Sequence, residues 1–143
     1  MSVKRDEERV PKETVGCVAL DDRGCLAAGT STGGLSNRPD GRTGDSGVLG
    51  AGTWSTKDGA ASATCTGEDI LRVQLCSTAV RLLDKHSHME AGQLAIDQMD
   101  ELVDGRGGLI IIDKLGRIGY AKNEESMSWA SITANGALRT HCP

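Results

Sequence analysis

The sequence predicts an α+β fold, in which strands come first, two helices follow, and further strands complete the chain. Short β-prone segments lie on both sides of residues 68–103, and within that span the apolar residues recur at helical spacing. This order is typical of helices that cover one sheet. The chain has 143 residues, which suffices for one ordinary domain.

The first predicted element is a β-hairpin. Residues 14–20 and 25–31 are β-prone, and the polar turn at 21–24 joins them. Residues 33–47 then hold five of the 19 glycines together with Pro39, which predicts a loop. Functional groups concentrate on such loops.

Two strands and two helices fill the middle of the chain. Strands are predicted near 48–54 and 60–66, joined by a polar turn at 56–59. Residues 68–85 carry two adjacent lines of apolar side chains and predict one helix with a broad apolar face. A second helix is predicted over 90–103, and the glycines beyond it end it.

Four short strands are predicted after the helices. The continuous apolar run at 109–112 is typical of a buried strand, and 118–121 follows it. Residues 126–133 and 137–141 are predicted as edge strands around a turn at Asn135.

The composition and charge of the chain argue against several classes of function. Residues 1–13 are polar and charged, so we expect a flexible arm before a domain over 14–143. This arm lacks the apolar core of a signal peptide, and no apolar run reaches the length of a membrane span, so we expect a cytoplasmic protein without membrane contact. An aromatic content of 2% and a net charge of −4 argue against a nucleic-acid partner. The five cysteines include no Cys-x-x-Cys, and we predict neither a metal nor a cofactor.

Two threonines and one charged pair could carry chemistry. Thr14 opens the hairpin, and strand pairing should point Thr32 towards it. If the bond before Thr14 were cut, its new α-amine, with a pKa of about 7.7–8.0, would lie beside its hydroxyl. A hydroxyl needs such a neighbouring base to act as a nucleophile. Arg42 and Asp45 follow in the Gly-rich loop and suit a carboxylate and an ammonium.

Four motifs occur in order and in register. They read Thr-Val-Gly-x-Val-Ala-Leu-Asp at 14–21, Thr-Ser-Thr-Gly-Gly at 30–34, Gly-Arg-x-Gly-Asp-Ser at 41–46 and Gly-Ala-Gly-Thr at 50–53. Together they resemble the β-subunit of the plant-type L-asparaginases, also called isoaspartyl peptidases. These enzymes are N-terminal-nucleophile hydrolases with a threonine nucleophile. The resemblance runs from about Glu13 to the C-terminus.

The resemblance also implies an architecture. The family fold is a four-layer αββα sandwich, and this chain matches only the half that the β-subunit supplies. No equivalent of the α-subunit is expected before Thr14, because only 13 residues precede it. An α-subunit-like chain, or self-association, is therefore expected to cover the exposed faces and edges.

The resemblance assigns roles to the residues at matching positions. Thr14 would be the nucleophile after self-cleavage of the Glu13–Thr14 bond, and Thr32 would orient it. Arg42 and Asp45 would bind the α-carboxylate and α-amine of a small amide or dipeptide substrate. In the family the residue before the nucleophile is usually Gly or Asp, so Glu13 departs from the pattern.

The oxyanion hole is ambiguous in this sequence. The family commonly has Thr-Gly-x-Gly-Glu, whereas the chain has Thr-Cys-Thr-Gly-Glu at 64–68. We predict Thr66 and Gly67 for this role, with Gly67 also contacting substrate. The alternative is that Thr64 serves, with Cys65 in the glycine position.

Three functions are compatible with these motifs. The first is hydrolysis of L-asparagine and β-aspartyl (isoaspartyl) peptides by an N-terminal threonine. The second is a catalytically silent, unprocessed chain that acts as a partner subunit, which Glu13 and the altered oxyanion segment favour. Among enzymes, glycosylasparaginase is the competitor, although Gly33 replaces its usual Asn.

Overall fold

The computed structural model describes residues 14–142, so the predicted arm at 1–13 lies outside the described residues. Within them the chain forms three helices and antiparallel sheets, in agreement with the predicted mixed class. The elements, in chain order, are β1 Thr14–Leu20, β2 Leu26–Thr32, β3 Thr53–Ser55, β4 Gly59–Cys65, α1 Gly67–Val73, α2 Leu75–Leu82, α3 His88–Val103, β5 Gly107–Asp113, β6 Ile118–Lys122, β7 Trp129–Ile132 and β8 Leu138–His141.

A four-stranded antiparallel sheet in the order β3-β4-β5-β6 forms the centre of the molecule. The apolar run at 109–112 lies in β5, and alternate side chains of that strand point to opposite faces. Leu109 and Ile111 join the core beneath the helices. Ile110 and Ile112 line a groove on the other face, beside β1.

The β1–β2 hairpin packs on the face of the sheet opposite the helices. Ala61 and Ala63 of β4 belong to the helix-side core, whereas Ser62 between them contacts Thr30 of the hairpin. A side chain at Gly16 would collide with Ser62, so glycine permits this close approach. The described residues thus form a helix layer, a four-stranded sheet, the β1–β2 hairpin and a separate two-stranded sheet of β7 and β8, and the four-layer sandwich stays a prediction.

The single helix predicted over 68–85 is wrong, because the structure has two helices separated by Gln74 in a left-handed conformation, with φ of 50°. The N–H groups that begin α2 bond outside the helix: Cys76 donates to Ala51 (3.1 Å) and Ser77 donates to Gly50 (2.8 Å). Tertiary backbone hydrogen bonds therefore replace intrahelical ones at this point, although the apolar periodicity continues through it.

The strand predicted near 48–54 is also shorter than expected and is confined to Thr53–Ser55. The preceding residues instead turn around Asp45, whose carbonyl accepts from the N–H groups of Val48 (2.9 Å) and Gly52 (3.1 Å). This compact turn positions Asp45. The second predicted helix begins slightly earlier than expected, at His88, where Ser87 and Glu90 form a capping box.

Candidate active site

The hairpin register brings the two threonines together. Thr14 and Thr32 are directly opposed in the antiparallel pair, so their side chains share one face. Their Oγ1 atoms are 3.4 Å apart, with Thr14 donating. Thr32 Oγ1 also accepts the N–H of Gly34 at 3.0 Å, which fixes its orientation at the start of the loop.

Asp45 is the most unusual side chain of the glycine-rich loop. It is only 7% exposed, and its Oδ2 has no hydrogen-bond partner. Burial raises the pKa of this carboxyl, although its own backbone N–H and the charge of Arg42 act in the opposite direction. A buried carboxylate with an unused oxygen is suited to receiving a cationic group.

Arg42 is held by Glu68, at the start of α1. Its Nε donates to Glu68 Oε1 (2.6 Å) and its Nη2 to Glu68 Oε2 (2.8 Å), in a bidentate pair. This pairing raises the pKa of Arg42 above its ordinary value. The guanidinium has five N–H donors, so those of Nη1 are not used by Glu68.

Gly67 lies directly beneath this charged group. A Cβ added there would be 2.8 Å from Asp45 Oδ1 and 3.2 Å from Arg42 Nη2. Only a glycine lets the first turn of α1 approach both side chains so closely. Gly67 therefore packs against both charged side chains, and its contact with substrate stays a prediction.

A single cavity of about 290 Å³ joins these groups. The polar residues that line it include Thr14, Thr32, Arg42, Asp45, Ser46 and Cys65. Ser46 was not singled out from the sequence, yet its buried Oγ has no hydrogen-bond partner. The cavity thus combines a hydroxyl pair, the guanidinium groups of Arg38 and Arg42, and a buried carboxylate.

A network of hydroxyl groups supports the hairpin beside this cavity. Thr30 Oγ1 lies 2.6 Å from Ser62 Oγ and donates to the carbonyl of Gly52 at 3.0 Å. Thr53 donates to the same Thr30 hydroxyl. The network connects β2 to β3 and β4, which agrees with a structural role for Thr30. The motifs at 30–34 and 50–53 contain Thr30 and Thr53, two of its members.

The segment predicted to form the oxyanion hole follows directly from β4. Of the described residues, Thr66 and Gly67 do not line the cavity, whereas Cys65 does. Cys65 has φ of 115°, in the region that favours glycine. Thr64 lines a neighbouring cavity, beside Cys65. This backbone favours the alternative in which Cys65 occupies the glycine position, and the roles of Thr64 and Thr66 stay predictions.

Metal-binding clusters and membrane-spanning helices are both absent from residues 14–142. No group of three or more His, Cys, Asp or Glu side chains in that range is arranged to hold a metal ion. None of the helices formed by these residues has the length and apolar character that crossing a bilayer demands. Glu13 lies outside the described range, so the geometry of the predicted cleavage site is described only on its Thr14 side.

Comparison with known proteins identifies the family. A family model described as asparaginase matches residues 2–142. The isoaspartyl peptidase/L-asparaginase of Mus musculus is 44% identical over 128 residues, which are 88% of this chain and 39% of that protein. The human protein of the same name is 42% identical over 120 residues, 82% of this chain and 39% of the relative.

A putative isoaspartyl peptidase/L-asparaginase of Dictyostelium discoideum is similar too, at 40% identity over 121 residues, with 80% of this chain and 33% of that protein covered. The chain therefore spans about two fifths or less of the length of these relatives. The motif resemblance is confirmed: the chain belongs to the asparaginase family.

Proposed function

We propose that this chain is the nucleophile-bearing part of an amidohydrolase that acts on L-asparagine and β-aspartyl peptides. The observation that carries the proposal is the shared cavity, in which the Thr14 and Thr32 hydroxyls, Arg42 and Asp45 meet. The names of the relatives, isoaspartyl peptidase/L-asparaginase, point to the same two substrate classes.

Thr14 supplies the nucleophile in this mechanism. Its Oγ1 attacks the side-chain amide carbonyl of the substrate while its free α-amine takes the hydroxyl proton. The amine then delivers that proton to the leaving nitrogen, and an aspartyl ester of Thr14 remains. Water activated by the same amine hydrolyses the ester. Thr32 Oγ1, at 3.4 Å from Thr14 Oγ1, orients the nucleophile.

Arg42 and Asp45 recognise the other end of the substrate. The α-carboxylate of the substrate pairs with the guanidinium of Arg42. The α-ammonium donates to Asp45 Oδ2, which has no hydrogen-bond partner in the free protein. This double contact leaves the β-amide pointing towards Thr14. The developing oxyanion is stabilised by donors from the segment at 64–67.

Activation requires that Thr14 become a chain terminus. We propose self-cleavage of the Glu13–Thr14 bond, in which the Thr14 hydroxyl attacks the preceding carbonyl and the resulting ester is hydrolysed. An α-subunit-like segment, or a second copy of the chain, completes the layers outside the hairpin. A cytoplasmic location belongs to the same proposal.

One observation favours a silent partner chain instead. Glu68 already occupies two donors of Arg42 in a bidentate pair, so this arginine has an internal carboxylate. A chain in which this pair never opens would not bind a substrate carboxylate through the same donors. Such a chain would keep Glu13 attached to Thr14.

Intact mass and turnover distinguish the two functions. The purified protein should release a fragment that begins at Thr14 and should hydrolyse L-asparagine. Thr14→Ala should abolish cleavage and lower turnover roughly 10⁴-fold or more, because no other group replaces the nucleophile. Ser31→Ala, an exposed change on the neighbouring strand, should leave both unchanged. Cleavage or turnover that survives in Thr14→Ala refutes the mechanism.

A further inference from the structure

A second cavity of about 550 Å³ adjoins the candidate active site. Cys65 lines both cavities, so the two lie next to each other at this residue. The second cavity lies at the end of β4, between the Gly-rich segment before β5 and the segment that follows β6. Its polar lining residues include Thr64, Arg106, Asn123, Glu124 and Glu125.

The segment that carries Arg106 is fixed by Asn123. The Asn123 side chain donates to the carbonyl of Gly105 and accepts the N–H of Gly107, each at 2.8 Å. The Asn123 backbone N–H also donates to Gly107 O at 3.0 Å. Asn123 thus forms hydrogen bonds with both chain neighbours of Arg106. These bonds fix the backbone from which the arginine side chain reaches the cavity.

The Arg106 guanidinium is left with donors to spare. Its Nη1 donates to the carbonyl of Asn123 at a long 3.3 Å, and it forms no ion pair with a carboxylate in the described part of the chain. One carboxylate in the cavity wall has another partner, because Glu124 Oε1 accepts from the Cys65 thiol at 2.9 Å. An arginine in this state is suited to a ligand carboxylate.

We propose that the second cavity binds the leaving residue of β-aspartyl dipeptides, with Arg106 pairing to its free carboxylate. This inference rests on the proposed function. With Arg42 and Asp45 holding the aspartyl end and Thr14 at the amide, the leaving residue must extend away from those groups. The Arg106 cavity adjoins the site on this side, since Cys65 lines both cavities.

The other charges of the cavity add a preference among leaving residues. The carboxylates of Glu124 and Glu125 lie in the same cavity. They repel an acidic side chain on the leaving residue and tolerate a neutral or basic one. L-Asparagine releases only ammonia and does not use this cavity.

Steady-state kinetics of Arg106→Gln on matched substrates test the subsite. The substrates are a β-aspartyl dipeptide with a free C-terminal carboxylate, the same dipeptide with a C-terminal amide, and L-asparagine. We expect kcat/KM for the free carboxylate to fall about tenfold, mainly through KM, and the other two values to change by less than about twofold. Arg106→Lys should retain part of the preference, because it keeps the charge.

Arg23→Gln, an exposed change in the hairpin turn, is the matched control and should alter none of the values. Turnover of L-asparagine by Arg106→Gln reports that the variant is folded. An equal effect of Arg106→Gln on all substrates, or no effect on any, overturns the subsite alone. Absence of hydrolysis of every substrate by the unaltered protein overturns the proposed function, and the subsite with it.

Discussion

Asp45 and Asp113 are two buried carboxylates, at 7% and 3% exposure, whose surroundings differ sharply. Asp113 closes the turn between β5 and β6. Its Oδ1 accepts the N–H groups of Leu115 and Arg117, both at 2.9 Å, and its Oδ2 accepts Arg117 Nε at 2.6 Å. Asp45 Oδ2, in contrast, has no partner.

The pKa values of the two groups move in opposite directions for this reason. Burial acts to raise the pKa of Asp113, but the hydrogen bonds from Arg117 and Leu115 together outweigh it and lower the pKa. At Asp45 burial prevails and raises the pKa. The same residue type at similar depth is thus stabilised in one place and left unsatisfied in the other.

The contrast separates a structural carboxylate from a candidate functional one. A turn is stabilised by satisfying every oxygen of its buried aspartate. A binding site does better with an oxygen that a ligand will satisfy, and the free protein accepts a less favourable folded state in exchange. Asp45 lies at the cavity with Thr14 and Arg42, whereas Asp113 lies at the opposite end of the sheet strands.

The largest expected effect is that of Asp45→Asn on substrate binding. The variant keeps the side-chain volume but removes the charge that would hold the α-ammonium. We expect kcat/KM for L-asparagine to fall about 100-fold, equivalent to about 2.7 kcal/mol. Asp40→Asn, an exposed change in the same loop, should have no effect. A small loss in Asp45→Asn would remove the distinction between the two aspartates.

The same variant should not lower stability. Because the folded-state pKa of Asp45 is raised, its contribution to stability is present at low pH and is lost as the pH rises through that pKa. At neutral pH the ionised group is therefore unfavourable, and thermal unfolding should show an unchanged Tm or an increase of about 2–5 °C in Asp45→Asn. When the pH is lowered, the unaltered protein should begin to lose substrate affinity at a pH above the ordinary pKa of an aspartate. The reason is that Asp45, with its raised pKa, becomes protonated there.

Asp113→Asn should have the opposite profile. Loss of the charge-assisted hydrogen bonds should lower the free energy of unfolding by roughly 1–3 kcal/mol, measured by urea denaturation, while kcat/KM of the folded protein stays unchanged. The folded-state pKa is lowered, so this contribution is present above the ordinary value and is lost as the pH falls through the folded one. The difference from the unaltered protein should therefore shrink below about pH 4. A loss of activity at full stability would contradict the structural role.

The smallest effect is expected from Glu68→Gln. This variant tests whether the ion pair with Glu68 competes with substrate for Arg42. The pair with Arg42 is bidentate, but Glu68 itself is half exposed to solvent, so we expect its removal to lower KM only about two- to fivefold. Asp69→Asn removes a charge from the same helix turn and controls for the dipole. A higher KM in Glu68→Gln would mean that Glu68 positions Arg42 for substrate.

Local patterns were sufficient for the hairpin and for most strands. The polar turn between two β-prone runs gave β1 and β2 within a residue, and the apolar run at 109–112 gave the centre of β5. They failed at Gln74, where the helix ends because Gly50 and Ala51 supply acceptors from elsewhere in the chain. The spacing of apolar residues within the helix does not reveal hydrogen-bond partners that lie far away in the sequence.

The residues of the candidate site also fall into two groups, those that local motifs identify and those that only distant contacts reveal. The motifs at 14–53 singled out Thr14, Thr32, Arg42 and Asp45. Glycines and polar residues at fixed spacing along the chain can be recognised from the sequence alone. They did not reveal the Arg42–Glu68 pair, whose members are 26 residues apart.

By itself the sequence determined the family, the order of the elements and the loop that carries the charged pair. Only the tertiary structure decided that Asp45 is buried with an unused oxygen, and that Cys65 rather than Thr66 lines the cavity. The physical reason is that burial and hydrogen-bond satisfaction depend on which distant segments pack together. Neither quantity is a property of a residue and its chain neighbours.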